Sequence, residues 1–118
     1  MPYHRLQVYQ KAYEAALTIH RASLRFPQIE QYGLAQQMRG SSKSIAANIA
    51  EGMGKQESPA DVKRYLRIAI GSCDETRVWI EFAKDLGYIE AAEALEFDER
   101  YQEIGRMLRG VIRKYDNV

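Results

Sequence analysis

The chain has 118 residues, 46% of them hydrophobic and 28% charged, a size that fits one domain around one core and excludes a second, catalytic domain. Seventeen Lys and Arg against sixteen Asp and Glu leave a formal charge of +1, so net charge alone predicts neither attraction to nucleic acid nor repulsion from it. A lone cysteine, Cys73, excludes an internal disulfide; with no secretory leader and no apolar run near the ~18 residues of a membrane span, a cytoplasmic protein that makes no membrane contact is expected.

Prolines stand only at positions 2, 27 and 59, and the long stretches between them predict an all-α chain. The first helix is expected over about 3–26: Leu6, Tyr9, Tyr13, Ala16, Leu17 and Leu24 recur at helical spacing, and Pro27 disfavours helix at Phe26. That stripe forms its apolar seam, with Arg5, Lys11, Arg21 and Arg25 on the polar face. A second helix, about 34–53, groups Leu34, Met38, Ile45 and Ile49 with the small residues Ser41, Ser42, Ser44, Ala46, Ala47 and Ala50. Such low bulk lets a neighbouring helix approach closely. Gly52 and Gly54 end the segment.

Ser58, Pro59, Ala60 and Asp61 open a third helix, about 59–86, with a serine cap, proline at the first helical position and a carboxylate three residues after the cap. Its seam reads Val62, Leu66, Ala69, Cys73, Thr76, Ile80 and Ala83. A second stripe, Tyr65, Ile68, Trp79, Phe82 and Leu86, makes this helix apolar over more of its circumference than one core requires. It is therefore either central to the fold or shared with another subunit. Gly87, Tyr88 and Ile89 read as a left-handed stop. The fourth helix, about 91–115, carries Phe97, Tyr101, Ile104, Leu108, Val111 and Tyr115 in steps of four and three. Connections of about five residues then suggest one domain over 1–118, an antiparallel up-down four-helix bundle.

Catalytic patterns are incomplete. Gly52-Met53-Gly54-Lys55 ends like a phosphate loop, but Ile49 stands where the first glycine belongs and Gln56 where Ser or Thr would hold magnesium. Neither His4 nor His20 follows a glutamate by three residues, as a di-iron bundle requires, and His20 reads as a hydrogen-bonded histidine near the core. Ser42 with Lys43, and Asp74 with Glu75, are adjacent pairs that diverge by about 100° on a helix and cannot share a site. Cys73 reads as a small core residue. No enzyme activity, metal or cofactor is expected.

Charge is unevenly spread. Residues 1–50 carry six basic and two acidic side chains, residues 74–103 three basic and ten acidic, and the last fifteen four basic and one acidic. Lys63, Arg64 and Arg67 cluster at the start of the third helix, and Arg106, Arg109 and Arg113 recur at spacings of three and four on the fourth. Stripes of this kind can meet phosphate, and packed side by side they would form one patch for structured RNA or DNA; the plain alternative is a solvated face.

Gly33-Leu34-Ala35-Gln36-Gln37-Met38-Arg39 and Ser44-Ile45-Ala46-Ala47-Asn48-Ile49-Ala50-Glu51-Gly52 closely resemble the signature of the four-helix bundle family named for the 23S ribosomal RNA intervening-sequence protein. Tyr65 to Glu75, Leu86-Gly87-Tyr88-Ile89 and Ile104-Gly105-Arg106-Met107-Leu108 are similar to its later landmarks, and Asp74 departs from a place where a small residue is usual. The resemblance implies a homopentamer, with some members encoded inside ribosomal RNA genes. Related proteins are basic accessory subunits of diversity-generating retroelements, which implies nucleic acid or a reverse transcriptase as partner. A homopentamer would give Tyr65, Trp79 and Phe82 an interface to fill. Within the signature, Arg39, Asn48 and Glu51 are expected to form a structural polar network with Ser72 or Glu75, and Glu51 to pair with Arg39 or with a neighbouring subunit.

Overall fold

Four helices carry the chain: α1 (Gln7–Ser23), α2 (Leu34–Met53), α3 (Pro59–Asp85) and α4 (Ala91–Arg113), with short 3-10 turns at Tyr3–Arg5 and Gln28–Glu30. The computed structural model describes residues 2–116, and no strand occurs among them. α2 packs between α1 and α3, α4 packs against α3 and more loosely against α1, and the backbones of the diagonal pairs α1–α3 and α2–α4 stay more than 8 Å apart among the described residues. The result is a rod of 47 × 23 × 20 Å.

The helix ends follow local chemistry. Ser58 caps α3 by accepting the Asp61 N–H at 3.4 Å. At the far end Gly87 takes φ 81, which only glycine adopts at no steric cost, and the Tyr88 N–H closes back on the Ala83 carbonyl at 2.8 Å. Tyr88 then packs on Phe26, ring centroids 5.3 Å apart, and donates its hydroxyl to Glu30 at 2.8 Å. One aromatic thereby ties the α1–α2 connection to the α3–α4 connection.

The first helix is shorter than its periodicity suggests. Leu6 is extended, so α1 starts at Gln7, and after Ser23 the Arg25 and Phe26 N–H groups bond only three residues back. The inward face also differs: Val8, Ala12, Ala15, Ile19 and Ala22 are buried, whereas Tyr13, Leu17 and Leu24 of the expected seam are exposed. Helix 1 carries two apolar stripes, and the one built of smaller residues packs inward because it lets the helix axes approach. The third and fourth helices also stop slightly early, at Asp85 and Arg113.

Elsewhere most of each expected seam is core; Leu34, Val111 and Tyr115 are only partly buried, and Ile112 takes the buried place near the end of α4. Every seam residue of α3 from Val62 to Ala83 is buried, as are Met38, Ile45 and Ile49 of α2 and Phe97, Tyr101, Ile104 and Leu108 of α4. The tightest approach is α2 against α3: a β-carbon on Gly52 would lie 3.1 Å from Tyr65 Cβ and 3.4 Å from the Val62 carbonyl. Further along, the Ser41 and Thr76 hydroxyls are 2.8 Å apart and those of Ser44 and Ser72 3.0 Å apart. Thr76 gives its only proton to the Ser72 carbonyl at 2.8 Å, so Ser41 is the donor of the first pair.

Two measurements check this packing. Gly52→Val should force α2 and α3 apart and cost about 1–3 kcal/mol in urea unfolding. Gly40→Ala, at an exposed glycine whose added carbon meets nothing within 4 Å, should gain about 0.5–1 kcal/mol. Burial pushes the Cys73 thiol up to about 12, so at pH 8 thiol reagents should label Cys73 only at the rate of unfolding; rapid labelling of the native protein would contradict its place in the core.

Candidate nucleic-acid interface

Lys63 and Arg67 are one helical turn apart on α3 and share a face. Lys63 Nζ lies 3.3 Å from Asp116 Oδ1, which brings the end of α4 alongside the beginning of α3. Arg109, in the last two turns of α4, lays its guanidinium back along its own helix, where a β-carbon on Gly105 would lie 3.3 Å from Nη1. Arg113, one turn beyond Arg109, is exposed at this end, as are Arg67 and Arg109. The structure therefore collects Lys63, Arg67, Arg109 and Arg113 where α3 starts and α4 finishes. Arg106 stands a turn nearer the middle, exposed beside Glu99, Gln102 and Glu103. Arg64 turns aside, its guanidinium 4.6 Å above the Tyr65 ring and 3.8 Å from Asp61.

Lys55 and Lys114 lie at the same end, at the finish of α2 and of α4. Lys114 adjoins Arg113 in the basic last fifteen residues, whereas Lys55 stands apart from any basic run. The opposite end is acidic: Glu81, Asp85, Glu90, Glu93 and Glu96 surround the α3–α4 connection. Between the two ends, Arg77 Nε donates to Asp98 at 2.7 Å, and Asp98 also accepts from Gln102 at 2.7 Å. Burial raises the Asp98 carboxyl, but the hydrogen bonds from Arg77 and Gln102 and the arginine charge together hold it below its ordinary range.

The polar residues of the signature do not form one network. Arg39 turns toward α1, donating to Ser23 Oγ at 2.8 Å and to the Gln31 carbonyl at 2.7 Å, so it fastens the α1–α2 connection rather than meeting Ser72 or Glu75. Asn48 donates to the Ser44 carbonyl at 2.8 Å and to its hydroxyl at 3.0 Å, and Ser44 in turn meets Ser72. Glu75 accepts from Trp79 Nε1 on its own helix at 3.2 Å. Glu51 is exposed and makes no ion pair or side-chain hydrogen bond among the described residues. Helical spacing placed these residues on a helix; which neighbour each one faces depends on register between helices, which spacing does not encode.

Of the three aromatics expected at an interface, Phe82 is half exposed, while Tyr65 and Trp79 are partly covered. Trp79 leans on Phe82 with ring centroids 6.0 Å apart. His20 is a partly exposed side chain rather than a core one, its Nδ1 3.0 Å from Lys43 Nζ. Burial first, and then the charges of Lys43, Arg39 and Arg21, hold its pKa below the usual histidine value. Tyr101 places its hydroxyl in the core without a hydrogen-bond partner. Burial and the nearby Cys73 raise its pKa. Among the described residues no three His, Cys, Asp or Glu side chains gather as a metal would need, and no helix is long and apolar enough to cross a membrane.

No curated protein matches the chain. Among solved structures it is similar to a protein of unknown function from the S23 ribosomal protein family of Bacteroides thetaiotaomicron, with 28% identity over 89% of this chain and 97% of that one and a TM-score of 0.79. The family model of the 23S rRNA-intervening sequence protein matches residues 4–110, nearly the whole chain and all the motifs described above, and the protein belongs to that family.

Proposed function

We propose that the chain is a non-enzymatic helical bundle that assembles with copies of itself and binds structured RNA or DNA through the basic end of α3 and α4. The observation that carries this reading is the meeting of Lys63, Arg67, Arg109 and Arg113 at one end of a rod whose other end is acidic. Exposed Arg and Lys on rigid helices reach phosphates without reading bases, so affinity should be salt-dependent and sequence preference low. Arg106 extends the patch, and Arg64 contributes least because it rests on Tyr65.

An antiparallel up-and-down arrangement underlies this geometry. It is supported by cross-helix pairs whose numbers run in opposite senses: Ser41 with Thr76 and Ser44 with Ser72, and Lys11 with Glu103 and Arg25 with Glu93. Assembly as a homopentamer is what the family resemblance implies, and it would multiply the patch around one axis. The family's name refers to a ribosomal RNA insertion, which favours RNA as the first ligand to try.

A second reading is a scaffold that recruits a nucleic-acid enzyme such as a reverse transcriptase. It draws on Ile29 and Tyr32, which stand 86% and 84% exposed on the α1–α2 connection, at the acidic end and away from the basic patch. A reverse transcriptase gene beside variable repeats in the genome would favour the scaffold; a lone gene, or one inside a ribosomal RNA insertion, would favour direct binding.

The test is affinity for a structured RNA and a matched DNA across a salt series, using protein stripped of copurified nucleic acid. Arg109→Gln with Arg113→Gln should weaken binding to every sequence alike and lower the slope of log affinity against log salt by about 2, about one per contact removed. Lys84→Gln, at the acidic end, should change neither. Unchanged affinity and slope in the double variant would overturn the phosphate-binding role of this patch.

A further inference from the structure

Four basic side chains, His20 and Arg21 of α1 and Arg39 and Lys43 of α2, gather where the last turn of α1 lies against α2. None of them pairs with a carboxylate among the described residues. Lys43 Nζ stands 3.0 Å from His20 Nδ1. Lysine has only protons to give, so Nδ1 is the acceptor and the imidazole is neutral, its proton on Nε2. Arg39, one turn before Lys43, spends its donors on neutral acceptors alone: Ser23 Oγ at 2.8 Å, Gln31 Oε1 at 3.2 Å and the Gln31 carbonyl at 2.7 Å. Ser23 Oγ donates in turn to the His20 carbonyl at 2.6 Å, so Arg39 is two hydrogen bonds from His20.

The carboxylates of the neighbouring elements are turned away or engaged. Glu14, the one acidic residue of α1, lines a cleft toward α4 with Lys11, Arg100 and Glu103. Glu30, on the α1–α2 connection, accepts from the Tyr88 hydroxyl at 2.8 Å and from the Leu34 N–H at 3.2 Å. Glu93 of α4 holds Arg25. α2 carries only Glu51, about two turns beyond Lys43. The last turn of α1 favours a cation, yet burial and the charges of Lys43, Arg39 and Arg21 hold His20 below its usual pKa. Like charges held together without a counterion raise one another's cost, and His20 and Lys43 are both open to solvent.

We propose that His20 and Lys43, with Arg21 and Arg39 beside them, form a binding site for a phosphate-type oxyanion. The site is separate from the basic patch of α3 and α4, because the Arg25 pair with Glu93 sets this end of α1 against the beginning of α4. An oxygen of the anion replaces the direct contact between the two side chains. His20 takes up one proton from solvent, Nδ1 becomes a donor, and Nδ1–H and the Lys43 ammonium both point at the anion. Proton uptake makes binding pH-dependent: the anion raises the His20 pKa, so its affinity is greatest below the free-protein value and falls as pH rises through the bound value. Free phosphate and the phosphodiester of a nucleic-acid backbone offer the same oxygens.

The test is a nuclear magnetic resonance titration of His20 in the full chain. Sodium sulfate is the probe, because phosphate changes its own charge near the same pH, and sodium chloride at equal ionic strength is the control. Sulfate should raise the His20 midpoint by about 1 beyond any effect of chloride, and should bind about tenfold more tightly at pH 5 than at pH 8. Lys43→Gln, at an exposed position, should raise the midpoint without sulfate, since a cation is lost, and abolish the response to sulfate; a merely structural lysine would leave that response in place. Arg109→Gln with Arg113→Gln should keep it, which tells failure of this site from failure of the patch. Equal effects of sulfate and chloride, or a sulfate response that survives in Lys43→Gln, would overturn the proposal. With the sulfate response established, structured RNA in its place identifies the source: a matching rise assigns the site to backbone phosphate, and no rise assigns it to a free oxyanion.

Discussion

Where Gly52 meets Tyr65, α2 and α3 stand so close that a β-carbon would have to displace its neighbours, and the other packing is arranged around that contact. Close approach buries the backbone of both helices and leaves room only for small side chains between them, which is why serines, alanine and threonine occupy the seam. Their hydroxyls need partners once water is gone. Ser41 finds Thr76, Ser44 finds Ser72, and Thr76 finds the Ser72 carbonyl. These bonds add to the apolar packing in fixing the register of α2 on α3, because a shift of one residue would break both cross-helix pairs. With that pair set, α1 fills one side and α4 the other.

The same pair shows what the sequence makes legible. The third helix was the most readable, its start and seam as expected and its end one residue early at Asp85, because each signal has a single local cause: a serine cap with proline behind it, steps of three and four, and a glycine at a left-handed stop. The first helix was not, because it has two apolar stripes and periodicity weighs tyrosine and leucine above alanine. Packing weighs them the other way when axes must come close, so Ala12, Ala15 and Ala22 go inside and Tyr13 and Leu17 remain outside. Arg39, Asn48, Glu51 and Glu75 were recognisable as polar residues in a special stretch, but their partners depend on height and rotation between helices. Arg39 ended on the α1–α2 connection and Glu51 in solvent. For the basic residues, Lys63 meeting Asp116 sets the beginning of α3 beside the end of α4, a placement that spacing within either helix does not encode.

α3 carries both consequences. It supplies the continuous inner seam and also the longest exposed apolar stripe, so it is the helix with least freedom to vary on either face. A monomer would carry the outer stripe at a cost in solubility with no return, whereas an assembly converts it into buried area. The two halves of the outer face differ in chemistry: the beginning of α3 carries Lys63, Arg64 and Arg67, and the part from Val78 to Leu86 is apolar with Glu81 and Asp85 beside it.

A formal charge of +1 would seem to weigh against phosphate binding, but the sum is the wrong quantity for a molecule of this shape. The rod is 47 Å long, while charges in physiological salt are screened over about 8 Å. A phosphate bound at the basic end as proposed would feel Arg67, Arg109 and Arg113, and Lys63 shared with Asp116, and would hardly feel the carboxylates around the α3–α4 connection. The acidic end acts on orientation instead. Under the proposed function it would repel a polyanion locally and favour approach at the other end. Near-neutrality is then compatible with an uneven spread of charge along the rod, basic residues prevailing at one end and carboxylates at the other.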